Sequence, residues 1–115
     1  MLFRSRLDPT HLRRAGKRDI LVRMLNNLKG VYLTAGDHPR ALSVVERMLL
    51  LRPEGAEEHR LRAALLTSLG HRDEAIEELR RWLIDAAPGE DVERTRQLLG
   101  RLERGLDPWK VGGEA

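Results

Sequence analysis

The chain has 115 residues, of which 34% are charged and 3% are aromatic, and its formal net charge is +3. This length allows one domain, and the lack of cysteine excludes disulfides, thiolate metal sites and a cysteine nucleophile. No apolar run approaches the roughly 20 residues of a transmembrane helix, and residues 1–10 lack the apolar core of a signal peptide. We therefore expect a soluble, cytoplasmic protein that makes no membrane contact.

Residues 1–16 form a basic N-terminal segment. The first 30 residues contain eight basic side chains and two acidic ones, and most of the basic side chains are arginines. Such a segment can bind nucleic acid or another anionic partner, although a solvent-exposed helix face is the more ordinary interpretation. Phe3 is the only aromatic residue in the first 30, which disfavours stacking on the bases of a single strand. Binding of nucleic acid or another anionic partner by this segment is therefore kept as the alternative function.

The remaining sequence predicts five helices, because apolar residues recur at helical spacing and strand-forming stretches are sparse. Gly36 and Gly70 mark the ends of two of them, where a left-handed cap requires a residue without Cβ. Pro53 and Pro88 follow the ends of two others. In chain order, the predicted helices cover residues 17–35, 39–51, 54–69, 72–86 and 90–104. The apolar stripe of the first helix consists of Ile20, Leu21, Met24, Leu25, Leu28, Val31 and Tyr32.

Parts of the sequence repeat with a period of 34 residues, as the pairs Gly36 and Gly70, and Ala41 and Ala75, show. This is the period of the tetratricopeptide repeat, whose pattern is W-x2-L-G-x2-Y, then A-x3-F, then P. The first unit matches it well, and the second unit matches mainly in its latter half. The small alanines fit positions where the two helices of a pair cross closely.

The sequence thus predicts an all-α fold, a tetratricopeptide-like superhelix of two antiparallel helix pairs plus a C-terminal capping helix. This domain is expected over residues 17–104, between the basic segment 1–16 and a flexible tail over 105–115. Two repeats are fewer than the three or more that such arrays usually need. We therefore expect another chain, another domain or a second copy to cover an exposed face.

The stretch RDILVRMLNNLK over residues 18–29 is more specific than the general repeat pattern, and VERMLLLRP over residues 45–53 follows it. Together these stretches resemble the C-terminal region of the SirB family, bacterial proteins that join a transglutaminase-like core to tetratricopeptide repeats. The resemblance implies a module related to such proteins, with a transglutaminase-like domain as one candidate partner. The Cys-His-Asp arrangement of that core has no counterpart here, so no catalytic residue carries over.

In tetratricopeptide proteins the first helix of each pair lines the concave face, so its polar residues are the expected partner-binding residues. Arg23 and Arg60 could hold a carboxylate of the partner by bidentate hydrogen bonds, or they could pair with acidic neighbours. Asparagine is a poor helix former, so Asn26 and Asn27 indicate either a ligand or a hydrogen bond to a neighbouring group. The candidate residues are Arg23, Asn26, Asn27, Thr34, Arg60 and Thr67.

No catalytic or metal-binding motif is present. The sequence lacks a phosphate-binding loop and a Gly-x-Ser-x-Gly turn, and its four histidines have no zinc-site spacing. The carboxylate pairs Glu57-Glu58 and Glu77-Glu78 are expected on solvated helix faces. We predict a non-catalytic protein–protein interaction module that is not an enzyme, with no cofactor and no metal.

Overall fold

The computed structural model of the protein describes residues 16–110, and within them five α-helices follow one another with no strand. These helices are α1 (Lys17–Ala35), α2 (His38–Leu51), α3 (Ala56–Ser68), α4 (Arg72–Asp85) and α5 (Glu90–Glu103). The five predicted helices are confirmed, with ends that differ by at most two residues. Apart from Gly16, the predicted basic N-terminal segment lies outside the described residues.

The turn between α1 and α2 is closed by Gly36 and Asp37. Gly36 has a φ of 73°, in the left-handed region that disfavours a side chain, and the N–H of Asp37 donates to the Tyr32 carbonyl over 2.9 Å. The Asp37 carboxylate accepts hydrogen bonds from the guanidinium of Arg40 (2.7 Å) and from its backbone N–H (3.2 Å). These hydrogen bonds hold the pKa of Asp37 below its usual value. Gly70, with a φ of 91°, follows the end of α3 in the same way.

The helices form two pairs, α1 with α2 and α3 with α4. Contacts between α2 and α3 join the pairs, and α5 packs on both helices of the second pair. Ala41 and Ala75 are completely buried, as expected for small residues at close helix crossings. The prediction of an all-α, tetratricopeptide-like fold is confirmed.

Three groups of buried apolar side chains hold this arrangement together. The first joins α1 and α2 and consists of Leu25, Val44 and Met48. The second joins α2 to α3 and consists of Ala41, Val45 and Leu65. The third joins α3, α4 and α5 and consists of Ala63, Leu66, Ala75, Leu79 and Leu102. Each group links neighbouring helices, so every helix depends on the one beside it.

Of the tail predicted over residues 105–115, the structure describes residues 105–110. Within that stretch, the indole Nε1 of Trp109 donates to the Ser68 hydroxyl over 2.7 Å. The Trp109 ring also stacks on His38, with ring centroids 5.6 Å apart. Trp109 therefore contacts the last residue of α3 and the first residue of α2. Flexibility of the tail stays a prediction.

We expect Leu65→Ala to lower the free energy of unfolding by about 2–5 kcal/mol, because it removes a completely buried side chain from the α2–α3 junction. Leu50→Ala is the matched control, since Leu50 is 81% exposed and its loss should change stability by about 0.5 kcal/mol or less. Urea denaturation followed by circular dichroism measures both. Equal losses in the two variants would contradict the described core.

Candidate partner-binding groove

A cleft of about 500 Å³, which we call the α3–α5 groove, lies between α3, α5 and the residues that follow α5. Its basic side chains are Arg60, Arg94, Arg101, Arg104 and Lys110. The rest of the lining consists of Gln97, Leu98 and Pro108. None of the described residues that line the groove is acidic, so its side chains present positive charge beside a small apolar surface.

The spacing of residues along α5 explains why so many arginines reach this groove. Positions 94, 98 and 101 recur every three or four residues and therefore share one face of the helix. Another face carries Val92 and Leu102, which are buried. The predicted capping helix thus has an apolar face toward the core and a basic face toward the groove.

Arg60 is the member of the groove that comes from α3, and it is tied to α5. Its Nη1 lies 3.3 Å from the carbonyl oxygen of Asp91, 3.3 Å from Asp91 Oδ1 and 3.2 Å from the Thr95 hydroxyl oxygen. Thr95 is itself buried. The pairing of Arg60 with an acidic neighbour, foreseen from the sequence, is therefore observed, and it fixes the guanidinium at the edge of the groove.

Two other arginines of the groove make local contacts along α5. Arg94 forms an ion pair with Glu90 over 3.0 Å, and both side chains are largely exposed. Arg104 donates to the Gly100 carbonyl over 3.3 Å, a contact that leaves its formal charge in place. Exposed ion pairs are worth little free energy, so an anionic ligand could displace Glu90 at low cost.

The structure distributes the predicted partner-binding residues over two helices. Arg60 and Thr67 lie on α3. The other four are exposed residues of α1: Arg23, Asn26, Asn27 and Thr34. No Cα atom of α1 lies within 8 Å of a Cα atom of α3, so the two helices do not form one compact site. Only Arg60 lines the α3–α5 groove. A role of the other five in binding stays a prediction.

The side chains of these residues differ in what they contact. The Thr67 hydroxyl donates to the Ala63 carbonyl over 2.9 Å, four residues earlier in the same helix. Neither Asn26 nor Asn27 hydrogen-bonds through its side chain to another residue in 16–110. The hydrogen bond to a neighbouring group, one of the two explanations for these asparagines, is therefore not found among the described residues.

A second group of polar side chains, which we call the polar cluster, consists of His59, Arg62 and Glu78. The imidazole Nδ1 of His59 lies 2.8 Å from Glu78 Oε2, and its Nε2 lies 2.7 Å from the Pro53 carbonyl oxygen. Arg62 pairs with Glu78 Oε1 and, over 3.0 Å, with Glu46 of α2. The cluster therefore links α2, α3 and α4 by charged hydrogen bonds.

The protonation of Arg62 follows from this environment. Burial lowers the pKa of Arg62, but the charge and hydrogen bond of Glu78, together with Glu46, outweigh burial and raise it. The guanidinium is thus held in its charged form.

The expectation that Glu78 lies on a solvated face is wrong, because Glu78 is only 8% exposed. Its partners, His59 and Arg62, both lie on α3 and not on its own helix. The repeat itself carries the signal that was missed. Each member of the cluster stands 34 residues after an apolar residue of the first pair: His59 after Leu25, Arg62 after Leu28, and Glu78 after Val44.

Two further findings concern residues 16–110 alone. In this part of the chain, no helix combines the length and the apolar character needed to cross a membrane. Nor does any group of three or more His, Asp or Glu side chains there have the arrangement of a metal site.

The sequence profile described as tetratricopeptide repeat matches residues 28–100, which include most of both helix pairs. A UPF0162 protein of Xylella fastidiosa (strain Temecula1) is 41% identical over 69 residues, which are 60% of this chain and 25% of that protein. A UPF0162 protein of Pseudomonas aeruginosa is 31% identical over 99 residues, which are 86% of this chain and 37% of that protein. The chain thus spans between a quarter and two fifths of these relatives. No solved structure gives a significant match.

The polar cluster yields a prediction about stability. We expect Glu78→Val to lower the free energy of unfolding by about 1–3 kcal/mol, because it leaves Arg62 and His59 part-buried without their carboxylate. The triple variant His59→Leu, Arg62→Leu, Glu78→Val copies the first helix pair. Its free energy of unfolding should lie within about 1 kcal/mol of that of the natural sequence, or above it, because apolar packing can replace a buried ion pair.

Urea denaturation at low salt measures both variants. A triple variant as unstable as Glu78→Val would show that the second pair cannot accept the apolar packing of the first.

Proposed function

The chain belongs to the tetratricopeptide repeat family, and we propose that it is a non-catalytic module that binds a protein partner through an acidic, extended segment in the α3–α5 groove. The observation that carries the proposal is the lining of this groove, with five basic side chains and no acidic one among the described residues. The proposal assigns no catalytic step, metal or cofactor to the chain, and it places the chain in the cytoplasm.

The chemistry of the groove favours carboxylates. Arginine guanidinium groups bind carboxylates through paired hydrogen bonds, and four of the five basic residues are arginines. Leu98 and Pro108 add apolar surface, which suits a segment in which acidic and aliphatic residues alternate. The first helices of tetratricopeptide pairs are the usual location of ligands, and α3 has that position in the second pair.

Nucleic acid is the alternative partner, and the lining of the groove suits it less well than it suits an acidic peptide. Among residues 16–110, no aromatic side chain lines the α3–α5 groove to stack on a base. The indole N–H of Trp109 is directed to Ser68. The basic N-terminal segment, on which the alternative rests, lies outside the described residues except for Gly16.

A relationship to the SirB family forms the finer part of the proposal. The supporting facts are the resemblance over residues 18–53 and the greater length of the UPF0162 relatives, of which this chain covers 25% and 37%. Their remaining length could hold a further domain. In this reading the protein partner is a transglutaminase-like domain, and a second copy of the chain is the other candidate.

The proposal predicts charge-dependent binding of a peptide probe. We expect a fluorescein-labelled peptide of alternating glutamate and leucine to bind the chain more tightly than the same peptide with lysine for glutamate. The double variant Arg94→Gln, Arg104→Gln should weaken binding of the acidic peptide by about tenfold, since it removes two guanidinium groups from the groove. Fluorescence anisotropy at fixed salt measures the dissociation constants.

The matched control is the double variant Arg81→Gln, Arg96→Gln. It removes the same charge from α4 and α5 but leaves every side chain of the α3–α5 groove in place. It should change the dissociation constant of the acidic peptide by no more than about threefold, as expected for a long-range charge effect that salt screens. Equal weakening by the two double variants would mean that net charge, and not the groove, determines binding.

A further inference from the structure

Helix α1 exposes an apolar face that its neighbour does not cover. We call this set of residues the α1 face: Ile20, Leu21, Met24, Leu28 and Val31, each between 41% and 60% exposed. Four of them recur every three or four residues and therefore form one continuous stripe. Of the apolar stripe predicted for this helix, only Leu25 is fully buried, against α2. A contiguous exposed patch of this kind is typical of an interaction site.

The second helix pair shows what covers the equivalent face one repeat later. The counterpart of Val31 is Leu65, which is completely buried in a cluster with Ala41 and Val45 of α2. The counterpart of Leu28 is Arg62, which pairs with Glu46 of α2. Helix α2, which precedes α3 in the chain, thus contacts α3 at the counterparts of Val31 and Leu28, two of the five residues of the α1 face.

The contacts of α1 indicate which kind of element would pack on its exposed face. Among the five described helices, α1 packs on α2 and on no other. Within residues 16–110, no helix takes at α1 the position that α2 takes on α3, and a helix with an apolar stripe would fit there.

The charges of α1 indicate which charges a helix docked on the α1 face should carry. Its basic residues are Lys17, Arg18, Arg23 and Lys29, and its single acidic residue is Asp19. Arg18 donates to the Leu51 carbonyl, and no ion pair within residues 16–110 involves the other three basic residues. Arg23 stands three residues after Ile20 and so borders the α1 face. A second copy of α1 would place like charges together, whereas a helix with acidic edges would be attracted.

We propose that the α1 face docks an amphipathic helix of another polypeptide or domain, with an apolar stripe bordered by glutamate or aspartate, in the position that α2 takes on α3. This site is separate from the α3–α5 groove and adds a second contact to the proposed function. The acidic edges of the docked helix correspond to Glu46 of α2, which pairs with Arg62 in the second repeat.

The experiment uses a synthetic, fluorescein-labelled amphipathic helix of about five turns, with leucine and alanine on one face and glutamate along both edges. A matched peptide carries lysine along the edges. The double variant Met24→Glu, Val31→Glu disrupts the α1 face, and Leu50→Glu introduces a charge at an apolar residue that is exposed elsewhere. Circular dichroism confirms that each variant folds, as expected for substitutions of exposed residues.

The acidic-edged helix should bind the natural chain, and Met24→Glu, Val31→Glu should weaken that binding by about tenfold or more, with Leu50→Glu close to neutral. The groove variant Arg94→Gln, Arg104→Gln should change it by no more than about threefold, as expected for a long-range charge effect, which separates this proposal from the proposed function. Absent binding, or equal binding of the lysine-edged peptide, would overturn the proposal. So would a dimer in sedimentation equilibrium that Met24→Glu, Val31→Glu converts to a monomer, because the occupant would then be a second copy.

Discussion

Leu65 of α3 is completely buried in one cluster with Ala41 and Val45 of α2, and this junction joins the two helix pairs. A helix pair of this size buries too little apolar surface to be stable alone. The partly buried Leu42 of α2 packs against both this junction and the third buried group, and α5 packs on that third group. The position of α5 relative to α3, and with it the α3–α5 groove, depends on these contacts.

The two helix pairs share a backbone pattern but differ in chemistry. In the first pair, Leu25 and Val44 form an apolar contact. In the second pair, the corresponding His59 and Glu78 are joined by a hydrogen bond. Burying the polar cluster of the second pair costs desolvation free energy, but its hydrogen bonds are directional. Such directional contacts can fix how neighbouring helices are aligned. The first pair instead has apolar residues in excess of what α2 can cover, so they remain exposed on α1.

The sequence predicted the helices and their ends because those features depend on neighbouring residues. Gly36 and Asp37 form the turn that their residue types indicate, and the 34-residue spacing of Ala41 and Ala75 correctly placed the helix crossings. The pairing of Arg60 with an acidic neighbour was also anticipated, although the partner, Asp91, lies on a different helix.

Other features could not be predicted because they depend on contacts between distant helices. Burial of Glu78 follows from the approach of α3 and α4, and the α3–α5 groove exists only once α5 is placed against α3. The α1 stripe was correctly seen as apolar, but a periodic pattern cannot show which part of a stripe a neighbour will cover. A comparison of the repeats residue by residue predicts the polar cluster, since three apolar positions of the first pair are polar in the second.

The central claim is that the α3–α5 groove receives an acidic, extended segment. The most direct measurement is a heteronuclear NMR titration of the isotope-labelled chain with the alternating glutamate–leucine peptide. The account predicts saturable shifts of backbone amides along the groove face of α5 and near Arg60 on α3, with α1 unaffected. Shifts confined to other surfaces, or spread evenly over all basic residues without saturation, would contradict it.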